Sequence, residues 1–281
     1  MLKRHLLFFL SLLFLIVSLS GCAITQAIRV EDRERIEVKS MIEELSGTRL
    51  VFLGERHDAA AHHKLQLEVL KGLKAQGKQL AIAMEMFEET TQPALDAWSA
   101  GKVPEDAFRK VYEWSWRFIP WEMYRDLLLF ARDNHVPVVA INAPRDVVQA
   151  VGKNGFTSLT DAELARLPTG LDVKASDEYL LSMRSSLPSH GKKGEALRNI
   201  AEAQLLRNKV MARKVADYLQ LHPGTTVVVI AGGGHARGTG GIAAELGNGI
   251  SYKIVLPPIP PLGENTVTGA DADYLLVESL L

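Results

Sequence analysis

Alternation between short apolar runs and helix-like segments is the feature that most constrains how this chain folds. Six runs have strand length and are mostly apolar. In chain order they are 49–54, 79–84, 136–141, 225–231, 252–256 and 274–277. Strands of continuous apolar composition are typical of a parallel sheet that helices cover on both faces. The sequence therefore predicts an α/β fold with a mostly parallel sheet and helices on both faces.

A long helical stretch interrupts this alternation between the third and fourth strands. Residues 155–222 have mostly helical spacing of apolar side chains, with breaks near Pro168 and Pro188 and around Gly191. We therefore predict one α/β domain over residues 49–281 with a helical subdomain inserted at about 155–222.

The N-terminus has the pattern of a secretory leader. Lys3 and Arg4 precede an apolar run over residues 6–19. That run is shorter than the roughly 20 residues that a membrane-spanning helix needs. It ends at Leu19-Ser20-Gly21-Cys22, which resembles a bacterial lipobox, and Cys22 is the only cysteine of the chain. The alternative is an uncleaved anchor helix with an incidental cysteine.

The lipobox predicts how the N-terminal part is divided. Residues 1–21 would be a lipoprotein signal peptide, Cys22 would carry a lipid such as palmitate, and residues 22–48 would form a lipidated tether and lead-in helix. Ala23 follows the cysteine, whereas an Asp at that position retains lipoproteins at the inner membrane. We therefore expect anchoring at the bacterial outer membrane.

Charge and cysteine content exclude two classes of function. The 281 residues include 32 Lys and Arg against 33 Asp and Glu. Nucleic-acid-binding proteins usually carry a basic face, so we expect no nucleic-acid partner. A single cysteine forms no internal disulfide and supports no multi-cysteine metal site.

Ionisable residues follow the predicted strands at the points where the strands end. Glu55 and His57 follow the first strand, Glu85 follows the second, and His235 comes after a triple glycine that follows the fourth. Ligands of open α/β sheets bind at the carboxyl ends of the strands. Histidine transfers protons near neutral pH and binds metals, and a carboxylate orients it. The sequence thus predicts a polar site with three open interpretations: a structural cluster, acid–base chemistry or a divalent metal.

Two further expectations concern side chains near this site. His63, in the helix after the first strand, is expected on the surface. The aromatic segment 112–124 holds three of the four tryptophans. Its first interpretation is core packing, and the alternative is a wall for a flat apolar ligand.

Several motifs together resemble the ChaN family of haem-binding lipoproteins, which is implicated in iron acquisition. They are Gly54-Glu55-Arg56-His57, Met84-Glu85-Met86-Phe87, Trp121 to Tyr124, Ala203-Gln204 with Met211-Ala212, and Gly233-Gly234-His235. The resemblance covers about residues 40–255. The ChaN family belongs to a wider set with the Tiki and TraB proteins and the erythromycin esterases.

The resemblance implies a haem-binding function. It implies that two copies of the chain form a homodimer that holds haem, with iron bound by a tyrosine. Tyr179 is the candidate iron ligand, and His190 and Arg184 are candidates for further contacts with haem. Lipid on Cys22 would attach the protein to the membrane, and an outer-membrane haem receptor is an expected partner.

The wider set also implies an alternative, a metal-dependent hydrolase that cleaves esters or peptides. His57 would then be a general base or metal ligand, with Glu55, Glu85 and His235 as ligands or orienting groups. Members of the family carry an Asp in the helix between Gln204 and Met211, where this chain has Arg207-Asn208. This departure weakens the metal interpretation.

Overall fold

The computed structural model describes residues 24–186 and 194–278. Cys22 and His190 lie outside the described residues. The strands are β1 (Gln26–Arg29), β2 (Arg35–Glu37), β3 (Leu50–Glu55), β4 (Gln79–Glu88), β5 (Val138–Asn142), β6 (Thr225–Gly232), β7 (Lys253–Leu256) and β8 (Tyr274–Leu276). The helices are α1 (Val38–Leu45), α2 (Ala60–Ala75), α3 (Gln92–Ser99), α4 (Glu105–Ser115), α5 (Trp121–Asp133), α6 (Arg145–Asn154), α7 (Asp161–Leu164), α8 (Asp177–Ser186), α9 (Glu195–Leu221) and α10 (Gly233–Ala236).

The eight strands of the described residues form one sheet in the order β2-β1-β8-β7-β3-β6-β4-β5. Every pairing from β8 across to β5 is parallel, and only β1 pairs antiparallel, with β2 and with β8. The predicted mostly parallel sheet is confirmed. Pro137 directly precedes β5, an edge strand, where a residue without a backbone N–H removes no sheet hydrogen bond.

Alternate side chains of the central strands enter two different cores. In β3, Val51 and Leu53 pack with helices α1 to α5 on one face. Leu50 and Phe52 pack with α9 and α10 on the other face. Successive strand residues point to opposite sides of a sheet, so a continuous apolar run supplies both cores. The expected helices on both faces are confirmed.

Residues 26–37 differ from the expected tether. They form β1 and β2, which extend the sheet at one edge beyond β8. Ala27, Ile28 and Ile36 of these two strands are buried, which holds the segment against the domain. Of the predicted tether and lead-in helix, the structure contains the helix, which is α1.

The helical stretch after β5 is continuous with the main domain. The first half of α9 packs against α6 through Ala203 and Leu206. Its second half covers the sheet through Met211, Ala212 and Val215. One helix of 27 residues therefore spans both regions and carries its middle residues to the carboxyl ends of the strands. Within residues 24–186 and 194–278, no helix has both the length and the apolar character needed to cross a bilayer.

Candidate functional site

The predicted ionisable residues converge on one cavity at the carboxyl ends of β3, β4 and β6. The cavity has a volume of about 550 Å³. Its lining includes Glu55, His57, Glu85 and His235, together with Arg207 from α9. The strand ends meet here because the parallel strands share one direction, which is why residues far apart in sequence become neighbours.

Glu55 is the most heavily hydrogen-bonded acid of the site. The side chain is buried, and its Oε1 accepts bonds from the Tyr124 hydroxyl and from His57 Nδ1–H at 2.7 Å. Its Oε2 accepts a bond of 2.7 Å from Gln66 Nε2. Burial alone would raise the pKa of this carboxyl, but the bonds from His57 and His63 outweigh burial and lower it to about 2. Glu55 is therefore a buried carboxylate.

His63 lies in the interior, so its expected surface position is wrong. Its Nε2–H donates to the His57 carbonyl at 3.1 Å, and its Nδ1 lies 3.2 Å from Gln66 Oε1 and 3.3 Å from Glu55 Oε2. Both ring nitrogens thus face acceptors, which favours the doubly protonated ring. Burial lowers the pKa of His63, but the Glu55 carboxylate outweighs burial and raises it. The clue was available in sequence: His63, Gln66, Leu70 and Leu73 share one helix face.

His57 is oriented by Glu55 so that its other ring nitrogen faces the cavity. Because Nδ1–H donates to Glu55, Nε2 is the atom left for a ligand. A Cβ placed on Gly232 would lie 2.9 Å from Nε2, and the Trp116 ring packs edge-on against the imidazole. Burial lowers the pKa of His57, but the carboxylates of Glu55 and Glu85 outweigh burial and raise it.

Glu85 is paired with Arg207, a residue whose role the sequence did not reveal. Arg207 Nη2 lies 2.5 Å from Glu85 Oε1, and the Gly232 backbone N–H donates to Glu85 Oε2 at 2.7 Å. Burial raises the pKa of Glu85, but His235 in its protonated form, the charge of Arg207 and the backbone bond lower it to about 2. Arg207 is 122 positions from Glu85, so no local pattern links the two.

The divalent-metal interpretation finds no support in this arrangement. Within the described ranges, no group of three or more His, Cys, Asp or Glu side chains is arranged to hold a metal ion. The positive charge beside Glu85 is the Arg207 guanidinium. At the position where the chain departs from the family pattern, Arg207 therefore supplies the positive charge beside Glu85.

His235 is held in one tautomer by Asn208. The Asn208 amide donates to the Gly240 carbonyl at 2.9 Å, so its Oδ1 is the acceptor for His235 Nδ1–H at 2.6 Å. The His235 Nε2 then carries the lone pair, 3.8 Å from Glu85 Oε1. Burial, aided by the charge of Arg207, lowers the pKa of His235 to about 3. This histidine is neutral at physiological pH.

Tyr179 lines the same cavity, whereas Arg184 does not. The Tyr179 hydroxyl accepts a bond of 3.5 Å from Asn208 Nδ2, and burial raises the pKa of Tyr179 to about 12. Arg184, on the same helix, lines a separate depression beside Arg198. The structure thus brings Tyr179, but not Arg184, to the strand-end residues.

The side chains of the aromatic segment 112–124 lie partly in the core and partly at the cavity. Tyr112, Trp121 and Tyr124 are buried in the core. Trp116 instead forms a wall of the cavity, together with Met183 of α8. Residues 112–124 therefore contribute both to the core and to the lining of the cavity.

Comparison with known proteins identifies similar sequences and folds. Residues 41–246 match the family model described as haem-binding uptake, Tiki superfamily, ChaN. The structure of ChaN of Campylobacter jejuni with cofacial haem superimposes with a TM-score of 0.70 at 20% identity, covering 90% of this chain and 96% of that one. The type III effector HopBA1 has a TM-score of 0.52 at 14% identity, covering 85% and 91%.

A curated plant protein is also similar in sequence. It is the chloroplastic protein RETICULATA-RELATED 5 of Arabidopsis thaliana, 27% identical over 220 residues. The match covers 72% of this chain and 30% of that protein, so the chain spans less than a third of its relative's length. The two solved structures support the fold, and the family model covers most of the chain, including all the ionisable residues of the cavity.

Proposed function

The chain belongs to the ChaN family of the Tiki superfamily, described as haem-binding uptake, and from this membership we propose that it is a lipid-anchored haem-binding protein that takes part in haem and iron acquisition. Membership of the family supports the haem-binding role. The observation that carries the proposal is the family match over residues 41–246, which include α8, α9 and all the ionisable residues that line the strand-end cavity.

The residues around the cavity suit a flat apolar ligand with an iron atom. Tyr179 offers a phenol oxygen, and phenolate is a haem ligand type. Trp116, Met183 and Ile259 supply apolar walls beside it. Burial holds the Tyr179 phenol protonated in the free protein, so ligation would require loss of that proton. When bound, haem would supply a ferric centre for the phenolate.

The finer parts of the proposal concern assembly. We propose that haem is held between two copies of the chain, with Tyr179 binding iron and Arg184 and His190 making further contacts. Arg184 follows Tyr179 on α8, and His190 follows α8 in sequence. An outer-membrane haem receptor is the proposed partner for transfer.

Haemin titration tests the proposal directly. The chain without residues 1–22 should give a saturable ferric spectrum with the charge-transfer band of tyrosine ligation, and light scattering should report a shift from monomer to dimer. Tyr179→Phe should weaken binding at least about tenfold, or about 1.4 kcal/mol. Tyr218→Phe, on α9 and away from the cavity, is the matched control. Absence of saturable binding by the unmodified chain would exclude the haem carrier.

Lipid attachment is tested separately. In a bacterial host, the full chain should incorporate labelled palmitate and sediment with outer-membrane fractions. Cys22→Ala should abolish both the label and the membrane association. A labelled Cys22→Ala protein, or a chain that sediments with the inner membrane, would contradict the predicted lipidation or its destination.

A hydrolase without a bound metal is the second candidate, favoured by the Glu55–His57 hydrogen bond of 2.7 Å. Such a bond orients a histidine to take a proton from water. Aryl ester cleavage should then be lost in His57→Asn and retained in His222→Asn, since His222 lies at the far end of α9. An unmodified chain without activity on esters and peptides would remove this candidate.

A further inference from the structure

The cavity is amphipathic, and its polar floor has more hydrogen-bond donors than acceptors to offer. We propose that Arg207 and His57 form a subsite for the carboxylate of an otherwise apolar ligand. The subsite lies in the cavity of the proposed function but does not require that the apolar part of the ligand be a porphyrin.

Both acids of the floor already have protein partners. Each oxygen of Glu55 accepts at least one hydrogen bond from the surrounding side chains. Glu85 is bonded on one oxygen by Arg207 and on the other by the Gly232 N–H. Because their pKa values are about 2, both are acceptors only, and both are satisfied inside the protein. Neither favours a cationic ligand.

Arg207 retains donors for a ligand. Its Nε–H, one Nη1–H and one Nη2–H donate to Asn142, Gln204 and Glu85. A guanidinium has five N–H donors, so two are without an acceptor among the residues that the structure describes. The side chain is only 15% exposed and lines the cavity. A guanidinium fork that is shielded from water is well suited to a carboxylate.

His57 supplies a second donor beside the guanidinium. With Nδ1–H donated to Glu55, a protonated ring presents Nε2–H to the cavity. Arg207 and Arg237, which line the cavity, together with protonated His63 behind it, already balance the charges of Glu55 and Glu85. Protonation of His57 then leaves a positive charge that a ligand carboxylate would neutralise, and neutral His235 adds none.

The remaining wall is apolar. It consists of Trp116, Tyr179, Met183, Ile259 and Pro260. The ligand that fits is therefore a flat apolar body with an acid group at one end. A porphyrin propionate and a free aromatic acid share this chemistry.

Calorimetry with cinnamate and cinnamamide tests the subsite. These probes have the same apolar body, and only cinnamate has a charge. The full chain, solubilised in non-ionic detergent, should bind cinnamate at least about tenfold more tightly than the amide. Arg207→Lys keeps the charge but loses the fork, and should reduce this preference to about twofold. Arg213→Gln, an exposed position on the same helix, should leave it unchanged.

The pH profile keeps the test decisive if the Arg207 variant fails to fold. In the unmodified chain, cinnamate affinity should fall as pH rises through the pKa of His57, while amide affinity stays level. His57→Gln should abolish this dependence. The ionisable and polar groups that face His57 are Glu55 of β3, Glu85 of β4, Tyr124 of α5, Arg207 of α9, His63 of α2 and His235 of α10.

Haemin and its dimethyl ester distinguish the two sources of the carboxylate. Tighter binding of haemin than of the ester, together with acid preference for cinnamate, identifies a propionate as the occupant. Acid preference without haemin binding supports the subsite and rejects the proposed function. Equal binding of haemin and its ester, with no preference for cinnamate over the amide, overturns the subsite while the haem-binding function stands. Failure of all four compounds to bind rejects both.

Discussion

At the level of single residues, Glu55 determines how its neighbours are protonated. It is the terminal residue of β3, and four side chains contact its carboxylate: His57, His63, Gln66 and Tyr124. Three of them come from two helices on the same face of the sheet, α2 and α5. A buried carboxylate with this number of donors fixes both imidazole rings and the orientation of the Gln66 amide.

Glu55→Gln should destabilise the protein strongly. The amide would place N–H groups against donors and leave the charge of His63 without its counter-ion. We expect the free energy of unfolding to fall by about 3–5 kcal/mol, as for other buried pairs that lose one partner. Urea denaturation at neutral pH measures this value. Glu113→Gln is the control, because its pair with Arg109 is half exposed; we expect a loss below about 1 kcal/mol. Equal losses in the two variants would contradict the interpretation.

The ionisable groups of the cavity predict a stability maximum close to about pH 6.5, the ordinary pKa of histidine. Above that pH, the raised folded-state pKa values of His57 and His63 make stability fall as pH rises through them. Below it, His235, with a folded-state pKa of about 3, makes stability fall as pH decreases. Glu55 and Glu85 add to this loss below about pH 4.5.

Thermal unfolding across this range measures the profile. His235→Asn should make stability nearly independent of pH between about pH 4.5 and 6.5, because the cavity group whose pKa is lowered across that range is removed. Stability that rises steadily to alkaline pH would show that His57 and His63 are not stabilised in their charged forms.

At the level of elements, the turn from β6 into α10 places backbone directly against the cavity. A Cβ on Gly232 would lie 2.9 Å from His57 Nε2, and one on Gly233 would lie 2.9 Å from Ile259 Cδ1. Gly234 has no atom within 4 Å of such a position. There is therefore no room for a side chain at Gly232 or Gly233, whereas Gly234 could accept one.

In Gly232→Ala, the added methyl group should displace the His57 ring from its position between Glu55 and the cavity. We expect a loss of about 1–3 kcal/mol in the free energy of unfolding, as for other overpacked sites. Cinnamate binding should weaken in parallel. Gly234→Ala should be neutral or stabilising by up to about 1 kcal/mol. Chemical denaturation and calorimetry of the pair provide the measurement, and identical behaviour of the two variants would refute the steric argument.

At the level of the whole molecule, the N-terminal strands complete the sheet. β1 pairs with β8 through Ala27, Ile28 and Arg29, and it buries Ile28 in one core and Ala27 in the other. Arg29 also pairs with Glu44 of α1 at 2.5 Å. This edge therefore belongs to the folded domain and not to a linker.

Removal of residues 1–37 should be far more damaging than removal of residues 1–23. The longer deletion exposes the edge of β8 and loses four buried aliphatic side chains, Ile24, Ile28, Val30 and Ile36. At about 1.5–3 kcal/mol for each, stability should fall by at least about 6 kcal/mol. Circular dichroism with heating and size-exclusion chromatography would detect unfolding or aggregation. If the chain without residues 1–37 melts at the same temperature as the chain without residues 1–23, residues 24–37 do not stabilise the fold and the tether interpretation is correct.

The sequence by itself determined the α/β class, the positions of the main strands along the chain and the meeting of Glu55, His57, Glu85 and His235. These follow from local patterns: apolar runs mark strands, and parallel strands bring their carboxyl ends together. Only the tertiary structure decided that Arg207 pairs with Glu85, that His63 is buried beside Glu55, and that Tyr179 reaches the cavity while Arg184 does not. The physical reason is that charge pairing and protonation depend on contacts between residues distant in sequence, and no local periodicity encodes such contacts.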